Sequence, residues 1–526
     1  MNDSGVLLRP GPTSRLIRER RLVPAATGVP RAFAPDVFGG GAPSLEAARA
    51  GDGDFPAAGD HPLAEQALGQ LLRLRAERIT AAFDAIEPLL RDLASAQFMP
   101  GFADLARARL SERLGLELPS ELFASSWTAA LDMRRLYAHC VMATFCRLVD
   151  QDFRRKLALA HEEESLDVLI HRWGFHAVDI AVCADGRLSG VLDYILRIPA
   201  GVVTHRRSHA GAMFDLEASL RHWEAVELRR WRDAWPNRAS DPTRFLKIGV
   251  YHFSGADPEH SGCAAHGSNT RLAADRLLTR LEQFADLVGH QHGSRPAVLL
   301  IGVDTDNDAI RVHVPDRKGR MEVGRFVDNA VLFASTRAMA RDPAKEAIRA
   351  AVADCAGVAQ DDGSTTGMRW LCAYLLKNNL GQHGAVRALA GGRYPDGGHT
   401  ERLIIVGDAI DGVQLRNLAF QAQMETVEEG ALDLDVGVAI LREFHQPQGL
   451  AVPILIHCAH RVDVPAAAER AQARAQRLQA AVTTRYEDLV AIGAVQVHAV
   501  TLPSAEGEFK AHPAAPQHHH QDRVLA

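Results

Sequence analysis

The chain has 526 residues, which at roughly 100 to 200 residues per domain predicts about three domains. Its 47% of apolar and 24% of charged residues exclude a chain that is disordered throughout, and its net charge of -6 argues against a nucleic-acid-binding protein, which needs a basic surface. No apolar run approaches the roughly 20 residues of a membrane-spanning helix, and the N-terminus lacks the apolar segment of a secretory signal. We therefore expect an intracellular protein with no nucleic acid and no membrane among its partners.

Residues 1–58 are rich in proline and glycine and have no sustained hydrophobic period, which predicts a disordered arm. Up to residue 35 this arm carries more basic side chains than acidic ones, which are Asp3 and Glu19. The basic residues are Arg9, Arg15, Arg18, Arg20, Arg21 and Arg31. A solvated tail is one interpretation, and a segment that folds when it binds the acidic surface of a partner is the other.

Residues 59–160 have the period of amphipathic helices, because apolar residues recur at spacings of three, four and seven. These residues are Leu68, Leu71, Leu72, Ile79, Phe83, Ile86 and Leu90. Pro119-Ser120-Glu121 is typical of a helix start, since proline is favoured in the first turn. We predict a helical N-terminal domain.

Residues 161–400 differ in character, because short β-rich runs alternate with long amphipathic helices. This alternation predicts an α/β domain with parallel strands. The predicted strands are residues 177–183, 245–253, 297–303 and 310–314, and the predicted helices lie near residues 214–235 and 270–289.

Residues 401–526 form a second block of the same kind. Its predicted strands are residues 402–407, 436–441, 452–457 and 491–500, and its predicted helix is residues 466–484. Residues 180–185 align with residues 403–408, and residues 248–252 align with residues 454–457 after a shift of one residue. The second block is interpreted as a diverged copy of the first, although any buried strand that ends in a turn aligns similarly. The predicted fold class is α/β, or α+β when the helical domain is included.

A thiol, a carboxylate and a guanidinium follow the first predicted strand, in Cys183-Ala184-Asp185-Gly186-Arg187. Residues two apart point to the same side of an extended chain, so Cys183, Asp185 and Arg187 converge at the carboxyl end of the strand. Ligands bind at this edge in open α/β sheets, and a neighbouring arginine favours an ionised carboxylate. A buried thiol followed by a salt-bridged turn is the alternative interpretation.

His252 lies at the end of the next predicted strand, and Cys263 follows eleven residues later. Together with Cys183 they make a Cys2His set, the number of protein ligands of a catalytic zinc with one open position. His260 or His266 would instead supply a fourth ligand and close a structural site. Zinc lowers the pKa of a bound water to about 7, so an open position beside an ionised carboxylate suits attack on an electrophile as small as carbon dioxide. The sequence contains no P-loop, GxGxxG, HExxH or GxSxG motif.

The motif Cys183-x-Asp185-x-Arg187, followed by His252 and Cys263, resembles the β-class carbonic anhydrases. The spacing between the histidine and the second cysteine departs from the usual His-x-x-Cys of that class. The longer spacing, the helical domain, the second α/β block and the basic arm together resemble a divergent branch of the class, the carboxysome shell carbonic anhydrases of α-carboxysomes. The resemblance covers essentially the whole chain.

The resemblance implies a lyase that interconverts carbon dioxide and bicarbonate. By the resemblance, Cys183, His252 and Cys263 bind one Zn²⁺ per chain, and Asp185 and Arg187 form the catalytic dyad that orients the acid. The fold that it implies is a helical domain followed by two α/β domains like those of the β-class enzymes.

The second α/β domain is, by the same resemblance, a degenerate copy without metal. The sequence agrees, because the position of Cys183 aligns with Val406 or Gly407, and the residue eleven positions after His457 is Ala468. The resemblance also implies homodimers or larger homo-oligomers on the inner face of the carboxysome shell. There the chain would contact shell proteins, bind Rubisco through the arm and supply it with carbon dioxide.

Proton release and the class of function leave alternatives. His399, in a glycine-rich loop at the junction of the two α/β blocks, is a candidate proton shuttle because an imidazole titrates near neutral pH. A histidine that is merely exposed is the alternative. The alternative function for the whole chain is a non-catalytic zinc-containing scaffold protein whose arm recruits a partner.

Overall fold

The fold is given by a computed structural model of the chain. It describes residues 61–63, 79–117, 122, 132–158, 174–198, 203–233, 243–358, 366–394, 401–408, 416–424, 426–462 and 464–504. The arm, the helix start predicted at Pro119 and the candidate shuttle His399 lie outside the described residues. Across the described ranges, no helix is both long enough and apolar enough to cross a membrane.

Helices make up the N-terminal region, as the sequence predicts. They include the helical residues 79–84, α1 (Ile86–Ala96), α2 (Phe102–Leu114) and α3 (Met133–Ala158). Gly101 (φ 77°) and Gly115 (φ 62°) mark the two ends of α2 in a left-handed conformation that other residues rarely adopt. The buried side of these helices shares one hydrophobic core with Leu403 and Leu455 of the second sheet. The helical region therefore covers one face of the C-terminal domain.

The first α/β domain is built on a six-stranded sheet. Its strands are β1 (Ala177–Cys183), β2 (Val203–His209), β3 (Phe245–Phe253), β4 (Ala297–Asp304), β5 (Ile310–His313) and β6 (Phe326–Asp328). Its helices are α4 (Leu216–Asp233), α5 (Thr270–His292), α6 (Asn329–Thr336), α7 (Arg341–Ala356) and α8 (Thr366–Ala390). The strand order is β2-β1-β3-β4-β5-β6, in which the first four are parallel and the last two pair antiparallel. Every residue of β1 and β3 is buried, as in a parallel sheet covered on both faces.

The C-terminal domain is built on a second, four-stranded parallel sheet. Its strands are β7 (Leu403–Gly407), β8 (Ala419–Gln423), β9 (Val452–Arg461) and β10 (Val495–Ser504). Its helices are α9 (Val427–His445), α10 (Ala467–Arg485) and α11 (Glu487–Ala491). The strand order is β10-β9-β7-β8, with all neighbours parallel. The α/β fold class predicted from the sequence is confirmed.

The strand predicted at residues 436–441 is wrong, because this segment lies inside helix α9. A short apolar run does not distinguish a buried strand from the buried side of a helix. Thr426 caps the helix by accepting a hydrogen bond from the Glu429 amide, and a Cβ atom at Gly437 would lie 2.7 Å from the Phe420 ring. The helix thus packs closely on the neighbouring strand β8, which the sequence analysis missed. The last strand begins at Val495, four residues later than predicted, because residues 487–491 are helical.

The two sheets repeat one arrangement of strands. The order β2-β1-β3-β4 in the first corresponds to β8-β7-β9-β10 in the second, and the connections follow the same sequence. Ala181 lies opposite Gly249 in the first sheet, and Ile404 lies opposite Ile454 in the second. When Ala181 is aligned with Ile404, these pairings align Gly249 with Ile454 and His252 with His457, which is the one-residue shift of the sequence alignment. This register places Val406 at the position of Cys183.

Candidate metal centre

Two neighbouring strands and the loop after one of them bring the three predicted ligands together. Cys183 is the last residue of β1, His252 is the penultimate residue of β3, and Cys263 lies in the loop that leads to α5. Their ligand atoms all lie within 4.8 Å of one another, and all three residues are buried. No other group of three or more His, Cys, Asp or Glu residues in the described part of the chain meets the same condition. The group lies at the carboxyl ends of parallel strands, where α/β sheets bind ligands.

The chemistry of this group fits a zinc ion. The Sγ atoms of Cys183 and Cys263 are 3.9 Å apart, and two sulfur ligands at about 2.3 Å from a tetrahedral zinc lie about 3.8 Å apart. The hydrogen bond with Cys263 and burial raise the pKa of the Cys183 thiol well above its ordinary value. A bound cation would offset the free-energy cost of ionising this thiol, because a metal stabilises the thiolate form of its ligands.

The two histidines considered as a fourth ligand lie outside this group. His260 is exposed, and its Nδ1 atom lies 2.9 Å from a carboxylate oxygen of Asp257. His266 is buried, and its Nε2 atom lies 3.4 Å from the carbonyl oxygen of Gly211. Among the described residues, the candidate ligands are therefore three in number rather than a closed set of four.

Asp185 and Arg187 form a buried ion pair with two parallel hydrogen bonds. Arg187 donates from Nε to Asp185 Oδ1 (2.9 Å) and from Nη2 to Asp185 Oδ2 (2.7 Å), and both side chains are 2% exposed. Burial alone lowers the pKa of Arg187, but the neighbouring carboxylate of Asp185 outweighs burial and raises it. Arg187 also donates from Nη1 to the carbonyl of Ser261 and to Oγ1 of Thr305. Such two-point pairing fixes orientation as well as charge.

The ion pair lies directly beside the three-residue group. Asp185 Oδ2 is 3.4 Å from Nε2 of His252. The carboxylate that is paired with Arg187 therefore lies next to one of the three candidate ligand atoms. The five residues that the sequence analysis selected, Cys183, Asp185, Arg187, His252 and Cys263, meet at one place in the fold.

The C-terminal domain also reaches this place, which the sequence analysis did not foresee. The amide of Gly186 donates to Oε1 of Glu401 (3.2 Å), and the amide of Gln421 donates to the carbonyl of Ala184 (3.0 Å). A Cβ atom at Gly186 would lie 2.4 Å from the carbonyl oxygen of Ala419. The glycine between Asp185 and Arg187 was the one sequence signal of this close approach.

The fold and the group of residues define an α/β protein with a buried Cys2His group that is able to bind a metal and a salt-bridged carboxylate beside it. Family comparison covers nearly all of the described chain. Residues 61–153, 165–399 and 400–510 match the N-terminal, catalytic and C-terminal domains of Carboxysome Shell Carbonic Anhydrase, respectively. The chain belongs to the carboxysome shell carbonic anhydrase family.

Curated relatives carry the same name. The chain is 41% identical over 437 residues to the carboxysome shell carbonic anhydrase of Halothiobacillus neapolitanus, which covers 82% of this chain and 85% of the relative. It is 36% identical over 464 residues to that of Hydrogenovibrio crunogenus, covering 87% and 86% of the two chains. It is 39% identical over 436 residues to that of Parasynechococcus marenigrum, covering 82% and 74%.

Proposed function

We propose that this carbonic anhydrase interconverts carbon dioxide and bicarbonate at the group of Cys183, His252 and Cys263, with one zinc ion per chain. The observation that carries the proposal is the set of three ligand atoms within 4.8 Å, beside a carboxylate paired with an arginine. Sulfur and imidazole ligands favour zinc over magnesium or calcium, which prefer oxygen. When bound, zinc supplies Lewis acidity that allows water to act as a nucleophile at neutral pH.

Asp185 orients the attacking water in this proposal. Its Oδ2 atom, 3.4 Å from Nε2 of His252, accepts a hydrogen bond from the water and directs a lone pair of the water oxygen at the carbon of carbon dioxide. Arg187 holds the carboxylate in one orientation through two hydrogen bonds. Because both side chains are buried, bulk water does not screen the charges of the dyad.

Stopped-flow hydration of carbon dioxide, with zinc content measured on the same sample, tests the proposal. We expect about one zinc per chain and hydration that a chelator abolishes and added zinc restores. One zinc per chain without hydration, under both reducing and oxidising conditions, would support the non-catalytic scaffold instead.

His399 remains our candidate for the proton shuttle, on the sequence argument alone. We expect His399→Ala to lower kcat in dilute buffer while kcat/KM stays unchanged, because proton transfer to solvent follows the departure of bicarbonate. Imidazole at high concentration should restore kcat. Equal loss of kcat and kcat/KM without rescue would contradict this role.

Association with the carboxysome follows from the family. We propose that the chain lies on the inner face of the shell as a homo-oligomer, in contact with shell proteins, and supplies carbon dioxide to Rubisco. We propose further that the arginines of residues 1–58 bind an acidic surface of Rubisco. Binding of Rubisco to the full chain, and to a chain without residues 1–58, should differ strongly in 50 mM salt and little in 500 mM salt. Equal binding by both chains would reject the arm as the contact.

A further inference from the structure

Residues 184–187, the segment that holds Asp185 and Arg187, lie against the C-terminal domain. Both neighbours of Asp185 make main-chain hydrogen bonds across the boundary, Ala184 with Gln421 and Gly186 with Glu401. Glu401 is 1% exposed, and a side chain at Gly186 would collide with the main chain of β8. The segment is thus enclosed by a domain that supplies none of the three candidate ligands.

The side chain of Arg416, in the C-terminal domain, connects residues 184–187 to the loop after β4. Arg416 lies just before β8, and its side chain is 9% exposed. From Nη1 it donates to the carbonyl oxygen of Arg187 (3.2 Å) and to Oδ1 of Asp308 (3.0 Å). Its guanidinium carbon lies 3.6 Å from the centroid of the Tyr394 ring.

Asp308 belongs to the loop after β4, and this loop holds the other end of Arg187. In that loop, Oγ1 of Thr305 accepts a hydrogen bond from Nη1 of Arg187. Asp308 has a φ of 59°, a left-handed conformation that few residues other than glycine, asparagine and aspartate adopt. Its Oδ2 atom accepts hydrogen bonds from Gln382 and Tyr394, and Oδ1 accepts the one from Arg416. The loop is therefore held in place partly by Arg416.

We propose that Arg416 is a positioning residue for the Asp185–Arg187 dyad, contributed by the C-terminal domain. It ties the main chain of Arg187 to the loop that binds the Arg187 guanidinium, and so fixes both ends of that side chain. This inference rests on the proposed function, since it concerns the dyad assigned there. It also gives the C-terminal domain a part in catalysis that does not require a metal of its own.

The direct test is Arg416→Met, which keeps the length of the side chain and removes its hydrogen bonds. We expect kcat/KM for carbon dioxide hydration to fall about tenfold with zinc content unchanged, because small displacements of positioning groups have effects of this order. Hydrogen exchange at the amides of residues 184–189 should become faster. Glu429→Gln is the matched control, because it weakens another ion pair across the same boundary, with Arg207, away from the dyad. We expect its kcat/KM to stay within about twofold of the wild type, with unchanged exchange at residues 184–189.

A wild-type kcat/KM in a folded, zinc-containing Arg416→Met protein would overturn the inference, as would an equal loss in Glu429→Gln. If Arg416→Met does not fold, Arg416→Gln takes its place, since glutamine keeps a hydrogen-bond donor at this position but lacks the charge and the length of Arg416. We expect about a threefold loss of kcat/KM there, and no loss would overturn the inference. A wild-type protein without hydration would instead refute the proposed function.

Discussion

The two α/β domains have the same strand order and the same register but different residues where the strands end. Cys183 corresponds to Val406, and His252 corresponds to His457. The histidine is thus kept in the C-terminal domain, whereas the thiol is replaced by a side chain that is fully buried in the core. The sheet accepts an apolar residue in place of a metal ligand at the end of its central strand, so the fold can be kept where the metal site is lost.

The polar residues at the corresponding edge of the C-terminal sheet form hydrogen bonds within their own domain. Asp408, at the position of Asp185, accepts hydrogen bonds from Arg474 (2.8 Å) and from the amide of Ala459 (2.7 Å). His457 is buried with Nδ1 3.4 Å from the carbonyl oxygen of Asp408, and burial lowers its pKa. The arginine paired with the aspartate comes from helix α10 rather than from two residues later in the chain. The carboxyl edge of such a sheet can therefore fold with its polar residues paired to each other and without the residues of the candidate metal centre.

The largest expected contrast is between the residues at the ends of the two central strands. Cys183→Ala should abolish zinc binding and lower kcat/KM by at least about a thousandfold, since it removes a ligand. Val406→Ala should leave zinc content and kcat/KM within about twofold and lower the free energy of unfolding by about 2 kcal/mol through a cavity. Metal analysis, stopped-flow hydration and urea unfolding of both variants measure this contrast. Zinc retained in Cys183→Ala would contradict the ligand assignment.

The two aspartates provide the next contrast. Asp185→Asn should keep about one zinc per chain and lower kcat/KM about a hundredfold, because the amide neither carries the charge nor accepts hydrogen bonds at both positions. Asp408→Asn should leave kcat/KM within about twofold, since Asp408 pairs only with residues of the C-terminal domain. Wild-type activity of Asp185→Asn would remove that aspartate from the mechanism.

A smaller expected effect is a difference between the two domains in how their stability depends on pH. His313, on strand β5 of the first domain, is completely buried, and burial lowers its pKa from 6.5 to about 4. The unfolded chain takes up a proton below pH 6.5 while the folded chain does not, so stability is lost as the pH falls from 6.5 towards 4. At pH 5 the loss attributable to this group is about 2 kcal/mol.

His313→Gln should remove that part of the acid sensitivity. Urea unfolding of both proteins at pH 7.5 and pH 5 measures it, as the difference between the two pH-dependent losses. The conservative His498→Gln, on strand β10 at an exposed position, is the control in the C-terminal domain. An unchanged pH dependence in His313→Gln would show that this histidine is not protonated on unfolding.

The smallest expected effect is an attempt to restore a site. Val406→Cys places a thiol next to His457, but the position of Cys263 corresponds to Ala468, in helix α10. Two ligands are too few for zinc in a buried site, so zinc content should remain at about one per chain. About two zinc ions per chain would show that the C-terminal domain retains a hidden ligand.

The parts of the fold that could be predicted are those in which one segment carries its own signal. Strands β1 and β3 are mostly apolar and have the bounds that the sequence predicts. Strand β2, with the sequence VTHRRSH, was missed because it is largely polar, and residues 436–441 were misassigned because their apolar side faces a sheet from a helix. Glu401 and Arg416 could not be found, since their partners Gly186 and Arg187 lie 215 and 229 positions away in the chain.

The core shared by the N-terminal helices and the second sheet also bears on how the chain is made. The helices are synthesised first, whereas the strand residues Leu403 and Leu455 that cover their apolar side leave the ribosome much later. A nascent chain therefore exposes this surface until the final domain folds, a period in which it is prone to aggregation and needs protection. Chains that end early lack both that cover and the contacts of Arg416 and Glu401. The segment that holds the dyad therefore gains these two contacts only after the C-terminal domain has been synthesised and folded.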